Sequence, residues 1–170
     1  MQENAYHPIT HARLGLAIEN DGFAIVENCV DESTINQQCV SLDLNTHGQR
    51  NLLGVPSVRQ LAASESVRSL VEEVLGPDCR AVKGILFNKT PESNWKVAWH
   101  QELTIAVRQR TAITGFSPWT IKDRVNNVQP PAEILAEILA IRIHLDDNTV
   151  ENGPLRIVPR SHKHGRLLSE

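Results

Sequence analysis

Residues 141–165 read IRIHLDDNTVENGPLRIVPRSHKHG, and this stretch says most about the fold. Over residues 141–146, apolar and polar side chains alternate on the two faces of an extended chain: Ile141, Ile143 and Leu145 against Arg142, His144 and Asp146. Asn, Asp, Gly and Pro residues at 147–154 then favour a turn. The pattern predicts a strand over 138–146, a turn, a short strand over 155–158 and a second turn over 159–162.

The residues before this stretch predict helices first and strands afterwards. Helical spacing of apolar residues indicates three helical regions, over 8–20, 31–47 and 58–75. Asp31 is a candidate cap, and Gly76 followed by Pro77 is a strong helix end. β-branched and aromatic residues favour strands at 23–28, 79–89 and 96–106. Residues 107–131 show no clean period, which predicts a long loop covering a pocket or a misread element. This order favours an α+β or β-rich fold.

Composition and charge are ordinary for a globular protein and argue against two classes of partner. The 170 residues carry a formal net charge of −3, and 41% of them are hydrophobic. No basic block suggests nucleic acid, and the apolar runs are too short for a membrane span. The first residues do not resemble a secretory signal. Cys29, Cys39 and Cys79 lack CxxC spacing and favour reduced thiols, so we expect a cytoplasmic protein.

A candidate metal-binding pair lies in the sequence Trp99-His100-Gln101-Glu102. In an extended chain, His100 and Glu102 point to the same face, about 6–7 Å apart at the backbone. An imidazole and a carboxylate placed in this way can bind one metal ion. Non-haem Fe(II) oxygenases use two histidines and one carboxylate on one face of an octahedron. Taken alone, the tripeptide is weak evidence, because many solvated strand faces carry the same residues.

Together, the two stretches resemble the phytanoyl-CoA dioxygenase family. Members of this family typically show Trp-His-Gln-Asp, then Glu-Asn-Gly-Pro-Leu after a strand, then Pro-Gly-Ser-His-Lys. This chain has three matching segments in the same order: Trp99-His100-Gln101-Glu102, Glu151-Asn152-Gly153-Pro154-Leu155 and Pro159-Arg160-Ser161-His162-Lys163. The resemblance extends from about residue 22 to residue 167, and the helical first half is its less specific part.

The resemblance implies a β-rich α+β fold. The fold that it implies is a cupin-like double-stranded β-helix, or jelly roll, with the N-terminal helices packed outside. We therefore expect residues 1–170 to form a single oxygenase domain that is incomplete. Residues 1–77 are its mainly helical part, and residues 78–170 supply jelly-roll strands.

The resemblance also implies a chemistry. The family uses Fe(II), 2-oxoglutarate and O2 to hydroxylate a small organic substrate, and releases succinate and CO2. By this resemblance His100 and Glu102 are the first two iron ligands, while Gln101 and Arg142 are candidate cofactor-binding residues. An ion pair with Asp146 is the alternative interpretation of Arg142. The sequence does not identify the substrate.

Other residues near the two motifs have mainly structural interpretations. We expect His144 to be a core histidine with its hydrogen bonds satisfied, although it could instead support a ligand. His162 and His164 belong to a turn that is structural in the family. Trp95 and Trp99 flank the candidate ligands and are expected to pack beside them.

Three departures from the family pattern bear on activity. Glu102 replaces the usual aspartate, so the carboxylate is kept on a longer side chain. Arg160 replaces a glycine; if that position has positive φ, the arginine is strained by roughly 1 kcal/mol. The family places its second histidine ligand and a cosubstrate-binding arginine well beyond the Ser-His-Lys turn. We therefore expect the third ligand and the last strands to be absent from these 170 residues.

These departures leave alternatives to an active dioxygenase. The chain could be an inactive family member that acts as a binding or interaction module. A cupin-like isomerase or sugar-binding jelly roll is a weaker alternative, because it needs more histidines along the strands. The coding sequence beyond codon 170 discriminates between the first two. We also expect that these 170 residues alone bind Fe(II) weakly and do not turn over 2-oxoglutarate. They are expected to be poorly soluble or to self-associate through an open sheet edge, because unpaired strands attract other strands.

Overall fold

The computed structural model describes residue 9 and residues 13–90, 93–149 and 153–167. Helices come first in the chain: α1 (Leu14–Asp21), α2 (Glu32–Ser41), α3 (Pro56–Ala62) and α4 (Glu65–Leu75), with α5 (Ala132–Ala136) much later. Strands lie mainly in the second half: β1 (Gly48–Gln49), β2 (Leu86–Phe87), β3 (Ile105–Val107), β4 (Trp119–Lys122) and β5 (Val125–Val128). Short 3-10 helices cover Leu52–Gly54 and Ser161–His164. None of the described helices is both long and apolar enough to cross a membrane.

Capping residues visible in the sequence account for two of the helix ends. Asp31 precedes α2, and its carboxylate accepts hydrogen bonds from the Ser33 hydroxyl at 2.6 Å and from the Thr34 amide at 2.8 Å. The Ser33 bond, followed by those of Thr34, lowers the pKa of Asp31 to about 2. At the other end of the helical region, α4 stops at Gly76, where a φ of 80° favours glycine.

The helices pack around a small apolar core. α1 lies against α4, and α2 lies against α3. The buried apolar side chains come from α1, α3, α4, the first 3-10 helix and β2: Leu14, Leu52, Leu61, Val67, Leu70 and Leu86. The buried Gln38 amide joins this core and donates to the Ser57 carbonyl oxygen at 3.3 Å. Removal of these apolar side chains from water is the main force holding the helices together.

Two antiparallel sheets form the strand-containing part of the described structure. β1 pairs with β2, and β5 lies between β3 and β4. Val128 of β5 pairs with Ile105 on one side and with Trp119 on the other. Its side chain is completely buried, so it anchors the centre of this sheet.

The expectation of a long loop over 107–131 is wrong, because β4 and β5 form a hairpin there. The two residues between these strands, Asp123 and Arg124, have φ values of 49° and 65°. Positive φ at both positions is the requirement of a type I′ turn, which usually has Asn-Gly or Asp-Gly. Asp-Arg is an unusual sequence for this turn, and the hairpin therefore has no strong signal in the sequence.

The expected strands at 138–146 and 155–158 pair with no other strand within the described residues. Part of the alternation survives, since Ile143 and Leu145 are half-buried while Arg142 is exposed. Extended segments become regular strands only when their N–H and C=O groups find partners. In the residues that the structure describes, the two sheets are small and do not close into a barrel. The mixed helix and strand content is confirmed, while the jelly roll stays a prediction.

The turn at Ser161–His164 packs against the C-terminal end of α1. The Arg160 amide donates to the Asp21 carbonyl oxygen at 2.8 Å, and His162 Nε2 lies 3.0 Å from the Glu19 carbonyl oxygen. Both oxygens belong to the last turn of α1, where backbone carbonyls have no partner inside the helix. The contact therefore satisfies polar groups at the helix end and joins distant parts of the sequence.

Candidate metal centre

His100 and Glu102 converge in the structure. The imidazole Nε2 lies 3.5 Å from the carboxylate Oε1, and the two side chains are 55% and 76% exposed. They lie on the segment of residues 98–103, which precedes β3, has a bend at residue 99 and is not itself a paired strand. The contact between them shows that both side chains face the same side of this segment. Both groups are open to solvent and accessible to a metal ion.

Nδ1 of the His100 ring contacts the backbone and thereby fixes the direction of Nε2. Nδ1 lies 2.8 Å from the Ala98 carbonyl oxygen, so a proton on Nδ1 completes a hydrogen bond to the backbone. In that tautomer Nε2 carries the lone pair and faces Glu102. Metal-binding histidines commonly use one nitrogen for the metal and donate from the other to a carbonyl or carboxylate. The local backbone therefore prepares His100 for a metal on its Nε2 side.

The separation of these donors fits a shared metal ion. Two ligands at right angles, each about 2.1 Å from a metal, lie roughly 3 Å apart. The observed 3.5 Å requires only a small adjustment. Imidazole and carboxylate are also a donor set that suits Fe(II). Among the residues described, no group of three His, Cys, Asp or Glu side chains could hold a metal, so the candidate centre has two members there.

Gln101 points away from the candidate ligands and contacts a distant part of the chain. Its Nε2 donates to the Gly165 carbonyl oxygen at 2.8 Å, and its Oε1 accepts from the Leu167 amide at 2.8 Å. Both polar atoms of the side chain are therefore engaged with the backbone. The assignment of Gln101 as a cofactor-binding residue stays a prediction.

Arg142 is exposed and forms no ion pair with any residue that the structure describes. The alternative ion pair with Asp146 is thus not formed. His144 is exposed as well, and its Nδ1 lies 3.0 Å from Nδ2 of Asn148. The expectation of a core histidine at this position is wrong, because residues 138–146 do not enter a sheet that covers them.

Each tryptophan of the chain carries a cation over its ring. The Arg156 guanidinium lies 5.0 Å from the Trp99 ring centroid, and Lys89 Nζ lies 5.3 Å from that of Trp95. Lys89 also donates to the Trp95 carbonyl oxygen at 3.0 Å. Cation–π contacts of this kind are worth about 0.5–1 kcal/mol at exposed sites. The first of these contacts places a positive charge over the residue that precedes His100.

A cleft of about 480 Å³ lies beside the larger sheet. It is lined by apolar, hydroxyl and basic side chains, which include Ile113, Phe116, Ser117, Arg110 and Trp119. The Arg110 guanidinium lies 5.7 Å from the centroid of Trp119. Since Trp119 and Ile105 pair with the same residue of β5, two strand spacings or about 10 Å separate them. Glu102 lies three residues before Ile105. The candidate ligand segment and the cleft therefore lie at the same end of this sheet.

Sequence reasoning did not find the partners of Gln101 or the outline of this cleft. The Gln101 contact joins residues more than sixty positions apart, and no local pattern encodes it. The Trp and Phe residues of the stretch 107–131 were a weak signal for the cleft, because we expected this stretch to cover a pocket.

Comparison with known proteins gives one match. A family model described as phytanoyl-CoA dioxygenase matches residues 40–169, a range that includes the candidate ligands and both turn motifs. No curated protein matches the chain. No solved structure matches it either.

Proposed function

Because the chain belongs to the phytanoyl-CoA dioxygenase family, we propose that it is an Fe(II)/2-oxoglutarate-dependent dioxygenase. It hydroxylates a small organic substrate and releases succinate and CO2. Family membership supports oxygenase chemistry in general, and the finer assignment rests on the site. The cupin-like jelly roll is part of the same proposal.

The observation that carries this proposal is the convergence of His100 Nε2 and Glu102 Oε1 at 3.5 Å. These two atoms would hold the iron, with the Ala98 carbonyl keeping the imidazole in the required tautomer. Glu102 contributes a negative charge, and this charge stabilises a bound divalent cation. When bound, Fe(II) supplies the redox chemistry by which O2 oxidises 2-oxoglutarate and the substrate.

Arg142 is the residue that we assign to the cosubstrate. It is an exposed guanidinium with no carboxylate partner in the described residues, so its charge is available to an anion. A planar guanidinium binds a carboxylate through two parallel hydrogen bonds. Its role in the reaction is to bind and orient 2-oxoglutarate.

The cleft beside β4 is the proposed substrate site. Its walls combine the apolar Ile113 and Phe116 with the hydroxyl of Ser117. Arg110, stacked on Trp119, adds one positive charge. Pockets of this composition bury the apolar part of a ligand and orient it with a few polar groups.

The test is succinate formation from 2-oxoglutarate in the presence of Fe(II), O2 and ascorbate. The assay follows the cosubstrate, so it does not require the substrate to be known. We expect at least 100-fold less turnover in His100→Ala than in the parent protein. His47→Ala is the matched control, because His47 is also exposed and lies outside the candidate centre. Equal turnover by the His100→Ala variant and the parent protein contradicts the proposal.

A further inference from the structure

The candidate ligand segment lacks the support that a strand normally has. Residues 99–103 form no backbone–backbone hydrogen bond with any other described residue. Without such bonds, the backbone alone does not fix the direction in which the side chains of this segment face. The direction in which His100 and Glu102 point therefore requires an anchor outside the backbone.

The Gln101 side chain supplies that anchor. Its amide binds Gly165 and Leu167, one through its N–H and the other through its oxygen, both at 2.8 Å. It thus takes the place that the backbone of a neighbouring strand would have. Because Gln101 lies between His100 and Glu102 in the chain, fixing its side chain limits how the backbone that carries both candidate ligands can turn.

The backbone segment that Gln101 binds, the 165–167 strap, is itself held from the other side. Gln129 is buried, and with its amide oxygen turned toward Arg166 it accepts from the Arg166 guanidinium, whose Nη1 is the nearest nitrogen. The Gln129 backbone is fixed in turn, since its carbonyl accepts from the Ser117 amide at 2.9 Å. Ser117 lines the cleft. One continuous set of hydrogen bonds therefore runs from the ligand segment through the strap to the cleft wall.

We propose that Gln101 is a positioning residue for the metal centre, which holds His100 and Glu102 on one face by binding the 165–167 strap. This inference rests on the proposed function, since it concerns the same metal site. It gives Gln101 a role that is different from contact with the cofactor. Arg166, through Gln129, is the second anchor of the same strap.

Binding of Co(II), used in place of Fe(II), tests this role without turnover. In Gln101→Met the side chain keeps its length and loses both hydrogen bonds. We expect its Co(II) affinity to fall by about 10- to 100-fold, the range typical when groups that orient metal ligands are removed. The visible absorption of bound Co(II) should also change, because it reports the geometry of the ligands. Gln109→Met is the control, since Gln109 is exposed and lies outside the strap contacts.

A second variant keeps the test valid if Gln101→Met does not fold. Arg166→Met loosens the strap without changing the ligand segment, and we expect it to weaken Co(II) binding in the same direction. If both residues act through one strap, the double variant is weakened by less than the product of the two single effects. Hydrogen exchange at the Leu167 amide, measured without metal, should become faster in Gln101→Met.

The outcomes separate this inference from the proposed function. Absence of Co(II) binding in the parent protein contradicts the metal centre, and the positioning role with it. Co(II) binding with the parent affinity and spectrum in both Gln101→Met and Arg166→Met overturns the positioning role alone. Weaker binding in both variants, with an unchanged Gln109→Met control, supports it.

Discussion

The imidazole of His162 lies directly against Gly22, the residue that ends α1. Gly22 has a φ of 84°, and a Cβ at this position would overlap the ring. We expect Gly22→Ala to lower the free energy of unfolding by about 2 kcal/mol or more, through backbone strain and displacement of the ring. Urea denaturation measures this change. Gly54→Ala is the matched control, because no atom would meet its Cβ within 4 Å.

The double variant Gly22→Ala/His162→Ala divides this loss into its two causes. Removal of the ring should recover the part due to overlap and leave the part due to positive φ. A Gly22→Ala variant as stable as the Gly54→Ala control would show that the His162 contact is absent in solution.

Arg160, which replaces a glycine of the family pattern, has a φ of 64°. Strain is expected at this residue if its φ is positive. Arg160→Gly removes this strain, and Arg160→Ala retains it, while both lose the ion pair with Asp21. We therefore expect the glycine variant to exceed the alanine variant in stability by about 1 kcal/mol. The lost ion pair, at 3.7 Å between an exposed arginine and a half-buried aspartate, contributes less than about 1 kcal/mol. Thermal unfolding of the two variants side by side gives the difference, and equal stability contradicts strain at this position.

The cap of α2 should give stability that depends on pH. The Ser33 and Thr34 bonds lower the pKa of Asp31 to about 2 in the folded protein, from an ordinary value of 3.8. The stability that the ionised Asp31 contributes is fully present above its ordinary pKa. It is lost as the pH falls through its pKa in the folded protein. We expect Asp31→Asn to unfold a few degrees below the parent at pH 7, with the difference disappearing as the pH approaches 2. A difference that stays constant from pH 7 to pH 2 contradicts this account.

The charge of Glu102 should matter more than the length of its side chain. Glu102→Gln keeps the shape and removes the charge, so we expect at least 100-fold less succinate formation. Glu102→Asp keeps the carboxylate that the family typically uses, and we expect it to stay within about tenfold of the parent. Metal affinity should follow the same order, because a neutral amide is a poor ligand for Fe(II) compared with a carboxylate. Full activity in Glu102→Gln removes Glu102 from the proposed centre.

The features that the sequence predicted well depend on near neighbours in the chain. The cap by Asp31 and the helix end at Gly76 are local effects of one residue on the next turn. The convergence of His100 and Glu102 is also local, since it requires only an extended backbone. The family match over residues 40–169 supports the resemblance that the motifs indicated.

The features that the sequence did not predict depend on distant partners or unusual turns. The hairpin of β4 and β5 turns at Asp123 and Arg124, a pair with no strong turn preference. The contact between Gln101 and Gly165 is formed only after the chain has folded back on itself. Whether an alternating segment such as 138–146 becomes a strand also depends on partners elsewhere in the chain.

The position of the tryptophans has a consequence for spectroscopy. Trp95, Trp99 and Trp119 are the complete set in this chain, and α1 to α4 contain none of them. Intrinsic fluorescence therefore reports the ligand segment and the cleft, while far-ultraviolet circular dichroism is dominated by the helices. If the protein unfolds as one cooperative unit, the two signals will change at the same urea concentration. Separate transitions would show that the metal-binding region can open while the helices remain folded.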